Sequence, residues 1–427
     1  RYLLQVSGLR EGTSRFPKDN CFVYRVSCSA GWRLSEEKFM SFVKPLFDNI
    51  KLRGSYGSLG NQFLTASSWT GNTKYYPYIP FLSNGITDYY LFNEARDVMI
   101  NPPSLISSSL TWEKVKTVNG GLDMTLLSSR LDIVFEIYRR TTGDMLISQT
   151  YPEVLGALAP VINDGELQTD GWELSINWRD KIGKDFSYGV GLNLFDSQAK
   201  ITKYGGAKST VSGNYVGKKI GEIWGYETEG LFQTQEEVDA HAKYDWGTRW
   251  TPGDVKLKDL NEDGRIGPGA NTVDDPGDQK VIGNTTPRYT YGVRVNAEYK
   301  NFFLNIFVQG VGKRDFFPNQ QAYRPVGTQY YNTQKWFVED SWTEENPNAY
   351  LPIARARSDK NWKNQTRLLQ DASYVSLKNL TFGYNLPTVL IRKIKLERAQ
   401  IYFSGENLWE HSNIKGPYDP EMAEKNG

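Results

Sequence analysis

The sequence predicts an all-β protein, a transmembrane antiparallel β-barrel with long loops at one end. Three observations predict this class: apolar and polar residues alternate along many segments, aromatic residues lie near the ends of those segments, and short and long connections alternate along the chain. A strand places successive side chains on opposite faces, so alternation is typical of a sheet with one apolar and one polar face. In an outer-membrane barrel the apolar face contacts lipid, and short turns at one end alternate with long loops at the other.

The alternation is clearest around Val293 and Val295, which share an apolar face that we expect to contact lipid. The residues between such apolar positions carry charges and amides, and we expect them to line the lumen of the barrel. These predicted lumen residues are Asp132, Glu136, Glu173, Arg179, Arg294, Asn296 and Glu298. A soluble β-sandwich or propeller also alternates, with its polar face in water, and remains the alternative on alternation alone.

The connection lengths favour the membrane barrel, because a soluble domain rarely needs several long loops without structure of their own. Tight turns are predicted at 127–130, 180–185 and 300–301, and long external loops at 57–109, 205–286 and 313–371. About twelve strands fit the pattern. In one strand the apolar face shifts by one position between Leu377 and Leu380, which predicts a β-bulge near Asn379.

Composition excludes several classes of protein. Among 427 residues, Lys and Arg number 50 and Asp and Glu number 49, a balance that argues against a nucleic-acid partner. No apolar run reaches the roughly 18 residues that a membrane-spanning helix needs. Cys21 and Cys28 lie seven positions apart on one predicted strand and therefore point to opposite faces, so we expect no disulfide between them.

Two short helices are predicted as packing elements of the loops. Thr234 and Glu237 have the spacing of a capping box and predict a helix over 235–243. A second helix is predicted to begin at Ser35. We expect both helices to pack the loops.

A calcium-binding loop is predicted between 259 and 266, because oxygen-bearing side chains recur at every second position before Gly264. The predicted cation ligands are Asp259, Asn261, Asp263, the backbone carbonyl of Arg265, and Asp275. The twelfth position is Ala270 rather than the bidentate Glu of a full calcium loop, so a carboxylate further along the chain, Asp274, Asp275 or Asp278, has to supply the last ligand. A turn network of Asp and Asn side chains without metal remains the alternative.

Catalytic motifs are absent from the sequence, so we expect a non-enzyme. No two carboxylates have a spacing known for glycoside hydrolysis, and there is no nucleophile elbow, phosphate-binding glycine loop or metal-binding histidine motif. Aromatic residues in the predicted loops either pack the loops together or contact sugars or peptides, and packing is favoured. These loop aromatics are Tyr75, Tyr76, Tyr78, Tyr89, Tyr90, Trp246, Trp250, Tyr330, Tyr331 and Trp336.

Several stretches, taken together and in order, resemble one known family. They are Trp32–Glu37, Leu52–Asn61, Thr111–Lys114, Asn163–Glu166 with Gly171–Glu173, Asp259–Ile266 with Val281–Asn284, Leu377–Tyr384, and Phe403–Leu408. The sequence resembles the SusC/RagA family of TonB-dependent outer-membrane transporters of Bacteroidota over nearly its whole length.

The resemblance implies a 22-stranded barrel that an N-terminal domain plugs, of which residues 1–427 would form about the C-terminal half, without the plug or the final strand. It implies TonB-dependent import of oligosaccharides or oligopeptides. The implied partners are a SusD-like surface lipoprotein, the TonB–ExbB–ExbD complex and the lipid of the outer membrane. Apart from the candidate calcium ion, no cofactor is implied. A soluble β-rich carbohydrate-binding protein is the alternative function.

Overall fold

The structure is a computed structural model. It describes residues 1–62, 75–86, 98–101, 103, 105–148, 160–205, 209–247, 249–318, 335–355, 359–392, 395–415 and 418–422. Within these ranges, no helix has the length and apolar character needed to cross a membrane.

Eleven strands form one antiparallel sheet, in which each strand pairs with the next of these strands along the chain. The sequence predicted about twelve. The sheet consists of β1 Tyr2–Gly12, β2 Phe22–Arg33, β3 Phe47–Asn61, β6 Glu113–Leu126, β7 Leu131–Ser148, β8 Val161–Ile182, β9 Phe186–Tyr204, β16 Arg288–Tyr299, β17 Phe302–Lys313, β20 Tyr374–Asn385 and β21 Gln400–Ser412. Strands β1 and β21 are its two edges, so the sheet formed by the described residues is open.

The other ten strands are short and form two-stranded sheets within the long connections. The antiparallel pairs are β4 Ser83–Ile86 with β5 Val98–Asn101, β10 Glu222–Tyr226 with β15 Gln279–Asn284, β11 Thr228–Leu231 with β13 Val255–Leu257, and β18 Asp315–Phe316 with β19 Gln370–Asp371. Strands β12 Lys243–Tyr244 and β14 Arg265–Ile266 pair in parallel.

The described helices are short. The α-helices are Gln235–Ala240, Lys335–Glu339 and Thr388–Arg392, and the 3₁₀ helices are Lys18–Asn20, Leu34–Glu36, Lys38–Val43 and Asp359–Trp362. The predicted cap is confirmed: the Thr234 side chain accepts a hydrogen bond from the Glu237 N–H, although the helix ends at Ala240. The helix predicted from Ser35 is instead two 3₁₀ turns, because extended backbone at Glu37 interrupts it.

The connections at the two ends of the sheet differ in length, with the three shortest at one end and the three longest at the other. One end, the short-turn end, carries 34–46, 127–130, 183–185, 300–301 and 386–399, and the other, the long-loop end, carries 13–21, 62–112, 149–160, 205–287 and 314–373. The predicted turns at 127–130 and 300–301 are confirmed. The turn predicted over 180–185 shortens to three residues because β8 continues to Ile182. The long loops begin and end within a few residues of their predicted bounds, apart from the first, which runs from 62 to 112.

The strand register gives the sheet one continuous apolar face. Residues directly opposite each other on paired strands share a face. One row across eight strands is wholly apolar: Ile50, Met124, Ile133, Ile176, Leu192, Val293, Val308 and Leu377. The row is preserved because Lys378 is an extra residue between Leu377 and Asn379, which confirms the predicted bulge.

Aromatic side chains form two bands on this apolar face. The band near the short-turn end contains Trp178, Phe186, Tyr188, Tyr299, Phe302, Phe382, Tyr384 and Phe403, and the band nearer the long-loop end contains Tyr56, Trp172, Tyr291 and Trp409. Tyr291 and Tyr299 are eight residues apart on one strand, about 26 Å at the usual rise of about 3.3 Å per residue. Aromatic girdles flank the apolar band of outer-membrane barrels in the same arrangement.

The main buried core lies in the loops rather than in the sheet. We call residues 205–287 and 314–373 the loop cap. Its largest buried cluster contains Tyr226, Leu231, Val255, Leu257, Ile266, Trp342 and Ala349. Trp246 packs against this cluster with part of its ring still accessible, and Trp250 stacks on Tyr244 with ring centroids 3.7 Å apart, so both tryptophans contribute to the predicted packing of the loops. Tyr89, Tyr90, Tyr330 and Tyr331 lie outside the described residues.

Candidate functional site

All seven predicted lumen residues lie on one face of the sheet, opposite the apolar row. Glu136 pairs with Glu173, and Asp132 pairs with Asn177, which is two positions before Arg179. Arg294 pairs with Gly191, which in turn pairs with Asn177. Asn296 and Glu298 follow Arg294 at alternate positions and complete the set. We call this surface the polar face.

A charge cluster on the polar face is centred on Arg53. Its guanidinium Nε donates to Asp123 Oδ1 at 2.9 Å, and it also forms an ion pair with Glu136. Lys51 Nζ donates to the second oxygen of Asp123 at 3.1 Å. A Cβ atom at residue 121 would lie 2.7 Å from the Arg53 guanidinium carbon, so Gly121 gives that side chain its space. Four strand residues from three strands are thereby tied together across the polar face.

The other predicted lumen residues differ in their contacts. Arg179 forms an ion pair with Asp132. Arg294 lies 5.9 Å from the centre of the Phe307 ring. Glu173, Asn296 and Glu298 are exposed and make no side-chain hydrogen bond to any described residue. The polar face thus combines internally paired charges with polar groups that remain available to water or a ligand.

A buried carboxylate joins the two halves of the loop cap. Asp254 has no exposed surface, and its Oδ2 accepts hydrogen bonds from Lys360 Nζ at 2.6 Å and the Thr251 N–H at 2.8 Å. Asn361 Nδ2 donates to Oδ1 at 2.9 Å, and Arg355 lies 3.6 Å away. A charge so deeply buried is tolerated only when it is fully paired. The sequence did not predict this site, because its partners are about a hundred residues apart.

A tyrosine hydroxyl lies beside this buried carboxylate. The Tyr244 hydroxyl accepts a hydrogen bond from the Leu257 N–H at 2.9 Å and donates one to the Val255 carbonyl at 3.0 Å. Burial raises the pKa of Tyr244 because the interior disfavours the phenolate. The hydroxyl therefore stays neutral and satisfies two backbone groups of β13.

The predicted calcium loop is a turn that is stabilised by hydrogen bonds between its own side chains and its backbone. Asp259 Oδ2 accepts from the Gly264 N–H at 2.8 Å, and Asp263 Oδ1 accepts from the Arg265 N–H at 2.7 Å. Asn261 Oδ1 accepts from the Asp263 N–H at 3.2 Å. Gly264 has φ +78°, a left-handed conformation that glycine adopts without steric cost. The turn that the sequence predicts is thus present.

The remaining predicted ligands are placed differently around this turn. The Arg265 side chain pairs with Asp245, and Asp275 Oδ2 accepts from the Ala270 N–H at 3.0 Å. Asp278, which is almost fully buried, bonds the Leu260 and Gly267 N–H groups. Asp259 Oδ1 is buried and has no hydrogen-bond partner. In the described ranges no three His, Cys, Asp or Glu side chains converge as a metal site, so metal binding stays a prediction.

The comparisons with known proteins agree with this architecture. No family model matches the chain. "TonB-dependent receptor P3" of Formosa agariphila is 28% identical to it over 439 residues, which cover 100% of this chain and 41% of the relative. "TonB-dependent receptor SusC" of Bacteroides thetaiotaomicron is 26% identical over 99% of this chain and 40% of its own length. The chain therefore spans about two fifths of these curated relatives.

Solved structures show the same fold. "Structure of the RagAB peptide transporter" matches with a TM-score of 0.74 and 21% identity, covering 98% of this chain and 43% of the matched chain. The "open-open" state of the RagAB peptide importer matches with a TM-score of 0.72 and 22% identity, covering 98% and 42%. The fold is that of part of an outer-membrane transporter barrel, and the outer-membrane location predicted from the sequence agrees with these relatives. The comparisons thus confirm, over the whole length of the chain, its resemblance to the SusC/RagA family of TonB-dependent transporters.

Proposed function

We propose that this chain forms part of a transporter that imports oligosaccharides or oligopeptides across the outer membrane with energy from the TonB–ExbB–ExbD complex. The observation that carries the proposal is the match of the whole chain to TonB-dependent receptors. The two faces of the sheet support it, because one is apolar with aromatic bands and the other carries charges. The relatives are named as receptors or transporters, which points to a non-enzyme.

In this proposal the polar face lines the lumen. Residues Asp132, Glu136, Glu173, Arg179, Arg294, Asn296 and Glu298 then lie along the route of the cargo, and Val293 and Val295 contact lipid. Polar lumen residues alternate with lipid-facing apolar residues in barrels of this kind.

The long-loop end faces the outside of the cell and meets a SusD-like lipoprotein. The support is the loop cap, since its buried core gives this end a folded surface on which a partner can bind. The matched structure is that of the RagAB peptide transporter, and for this chain the partnership with a lipoprotein is a proposal.

We also propose that the 259–266 turn binds Ca²⁺ as a structural ion. The support is the oxygen spacing together with the buried, unpartnered Asp259 Oδ1, which a cation would satisfy. Thermal unfolding of the full-length protein should shift upward in millimolar Ca²⁺ and not in Mg²⁺, and Asp259→Asn should remove the shift. Equal melting temperatures in Ca²⁺ and in chelator would refute the proposal.

The transport proposal is tested by growth. A host strain deleted for the full-length gene is grown on single oligosaccharides and on peptide mixtures as nutrients. We expect growth to fail on one class and to be restored by the gene, but only when TonB is present. Restoration without TonB, or unchanged growth on every nutrient, would contradict the proposal.

A further inference from the structure

Two adjoining cavities lie in the loop cap. Their volumes are about 840 and 540 Å³, and both are lined by Trp224, Asn271, Gln279 and Asn364, so they form one continuous depression. We call it the tryptophan groove and define it by Trp224, Tyr226, Trp246, Asn271, Gln279 and Asn364. Each of the two volumes is typical of sites for small molecules.

Two indole rings of the groove are held rigidly. Trp224 Nε1 donates to the Tyr215 hydroxyl at 2.9 Å, and that hydroxyl donates to Glu222 Oε2 at 2.7 Å. The Trp246 ring packs against Tyr226, with centroids 5.1 Å apart. Both tryptophans are half-buried, so part of each ring remains accessible. The groove therefore presents fixed, flat apolar surfaces, which lowers the entropic cost of binding.

One uncharged polar group of the groove is the Tyr226 hydroxyl. The Tyr226 side chain is 5% exposed, and its hydroxyl has no hydrogen-bond partner in the described part of the chain. Burial, with the nearby Asp278 and Asp245, raises the pKa of Tyr226, so the hydroxyl remains protonated. The oxygen itself keeps some exposure to the groove, where water or a ligand can bond it.

Three amides add donors and acceptors beside this hydroxyl. Gln279 Nε2 donates to Asn271 Oδ1 at 3.2 Å, and Asn364 Nδ2 donates to the Trp224 carbonyl at 3.1 Å. These contacts orient the amides and leave Asn271 Nδ2, Gln279 Oε1 and Asn364 Oδ1 without a partner among the described residues. The free atoms include one donor and two acceptors, which suits a ligand with hydroxyl groups.

The groove is poorly suited to a peptide that binds by adding a strand. One edge of β10 pairs with β15. At the other edge the Tyr226 N–H bonds the Asn364 carbonyl at 2.8 Å, and the Thr366 N–H bonds the Tyr226 carbonyl at 3.0 Å. Strand addition needs an unpaired edge. The charged lining residues are two acids, Asp245 and Glu222, and two lysines, Lys218 and Lys363. Asp245 is paired with Arg265 and Glu222 accepts the Tyr215 hydroxyl, so the lining charges balance and favour no ionised ligand of either sign.

We propose that the tryptophan groove binds a neutral oligosaccharide, with the C–H face of a sugar ring on Trp224 or Trp246 and sugar hydroxyls bonded to Tyr226, Asn271 and Gln279. This inference rests on the proposed transport function and identifies the class of cargo. Aromatic rings suit the apolar faces of sugars, and amides suit their hydroxyls, because each hydroxyl both donates and accepts.

The test measures binding by the purified full-length protein. The probes are an array of neutral oligosaccharides of three to eight units and a matched array of short peptides. The variants are Tyr226→Phe and the double variant Asn271→Ala/Gln279→Ala, and the control is Tyr24→Phe, which removes an exposed hydroxyl on β2, outside the groove. Each protein is first checked for the heat-dependent gel shift of a folded barrel.

We expect a neutral oligosaccharide to bind the wild type and the control equally. Binding should weaken at least tenfold in both groove variants, while the melting temperature of Tyr226→Phe stays unchanged or rises, because that hydroxyl has no partner to lose. A folded wild type that binds no oligosaccharide, or binds only peptides, would overturn the inference. Oligosaccharide binding that survives both variants would also overturn it. The transport proposal is judged separately by TonB-dependent growth.

Discussion

The sheet and the loop cap are stabilised in different ways. The apolar row of the sheet is half-exposed at seven of its eight positions. The loop cap buries its apolar side chains internally, with Leu257, Val255 and Ile266 at most 1% exposed. The cap is therefore built like a soluble domain, whereas the sheet depends on the membrane as its solvent. A destabilising substitution in one region should therefore leave the other region folded.

The largest effect is expected from Asp254→Ala in the loop cap. Removing this carboxylate leaves the largely buried ammonium of Lys360 without its anionic partner, so that it donates only to the Arg249 carbonyl. Loss of one member of a buried ion pair costs about 3–5 kcal/mol. Hydrogen exchange should show the cap opening, while the gel shift of the barrel persists.

The matched control for this prediction is Asp239→Ala. Asp239 is an exposed acid on the 235–240 helix of the same cap. The Asp239→Ala substitution should leave hydrogen exchange in the cap unchanged. Simultaneous loss of the cap and the barrel in Asp254→Ala would show that the two regions are not independent.

Val293→Arg in the sheet is expected to weaken the barrel and to leave the loop cap folded. Val293 belongs to the apolar row and lies between the two aromatic bands, and a cationic residue on the lipid face costs up to about 2–4 kcal/mol at mid-membrane. Asn296→Arg on the polar face is the matched variant and should cost far less. The efficiency of folding into lipid vesicles measures the cost of each substitution. Equal folding efficiency of the two variants would contradict the assigned faces.

A smaller effect in the cap is expected from Tyr244→Phe. The substitution leaves the Leu257 N–H and the Val255 carbonyl without their side-chain partner. An unsatisfied buried polar group costs about 1–3 kcal/mol. The loss should appear in the exchange of β13 amides, and wild-type protection of those amides would contradict the role given to this hydroxyl.

The smallest effect is expected from Thr234→Ala at the start of the 235–240 helix. The threonine oxygen accepts the Glu237 N–H at 3.3 Å, and loss of an N-cap costs about 1 kcal/mol. Faster exchange should be confined to this helix. Restoration by Thr234→Ser would confirm that the hydroxyl is responsible.

Much of the sheet could be predicted from the sequence because its signals are local. Alternation at period 2, the two-residue turn at 300–301 and the shift of face between Leu377 and Leu380 are all readable within a few residues. The Arg53 cluster had a local signal too, since Lys51 and Arg53 lie between apolar neighbours. Their partners became visible only through the strand register.

The loop cap could not be predicted in the same way because its contacts are distant in sequence. Asp254 and Lys360 are 106 positions apart, and no spacing rule connects them. The helix predicted from Ser35 was wrong because a local pattern did not show the extended backbone at Glu37. The Asp259 turn was predictable from its Asp, Asn and Gly spacing, yet its hydrogen bonds fit both a turn with a cation and a turn without one.

The central claim is that this sheet belongs to a membrane-embedded barrel, and heat-modifiability of the full-length gene product tests it most directly. The protein is extracted from the outer-membrane fraction in mild detergent and run on a gel with and without boiling. We expect the unboiled sample to stay folded and migrate anomalously, and boiling to shift it. A soluble product whose migration does not change on boiling would mean that the apolar face packs inside a soluble protein, and it would contradict the account.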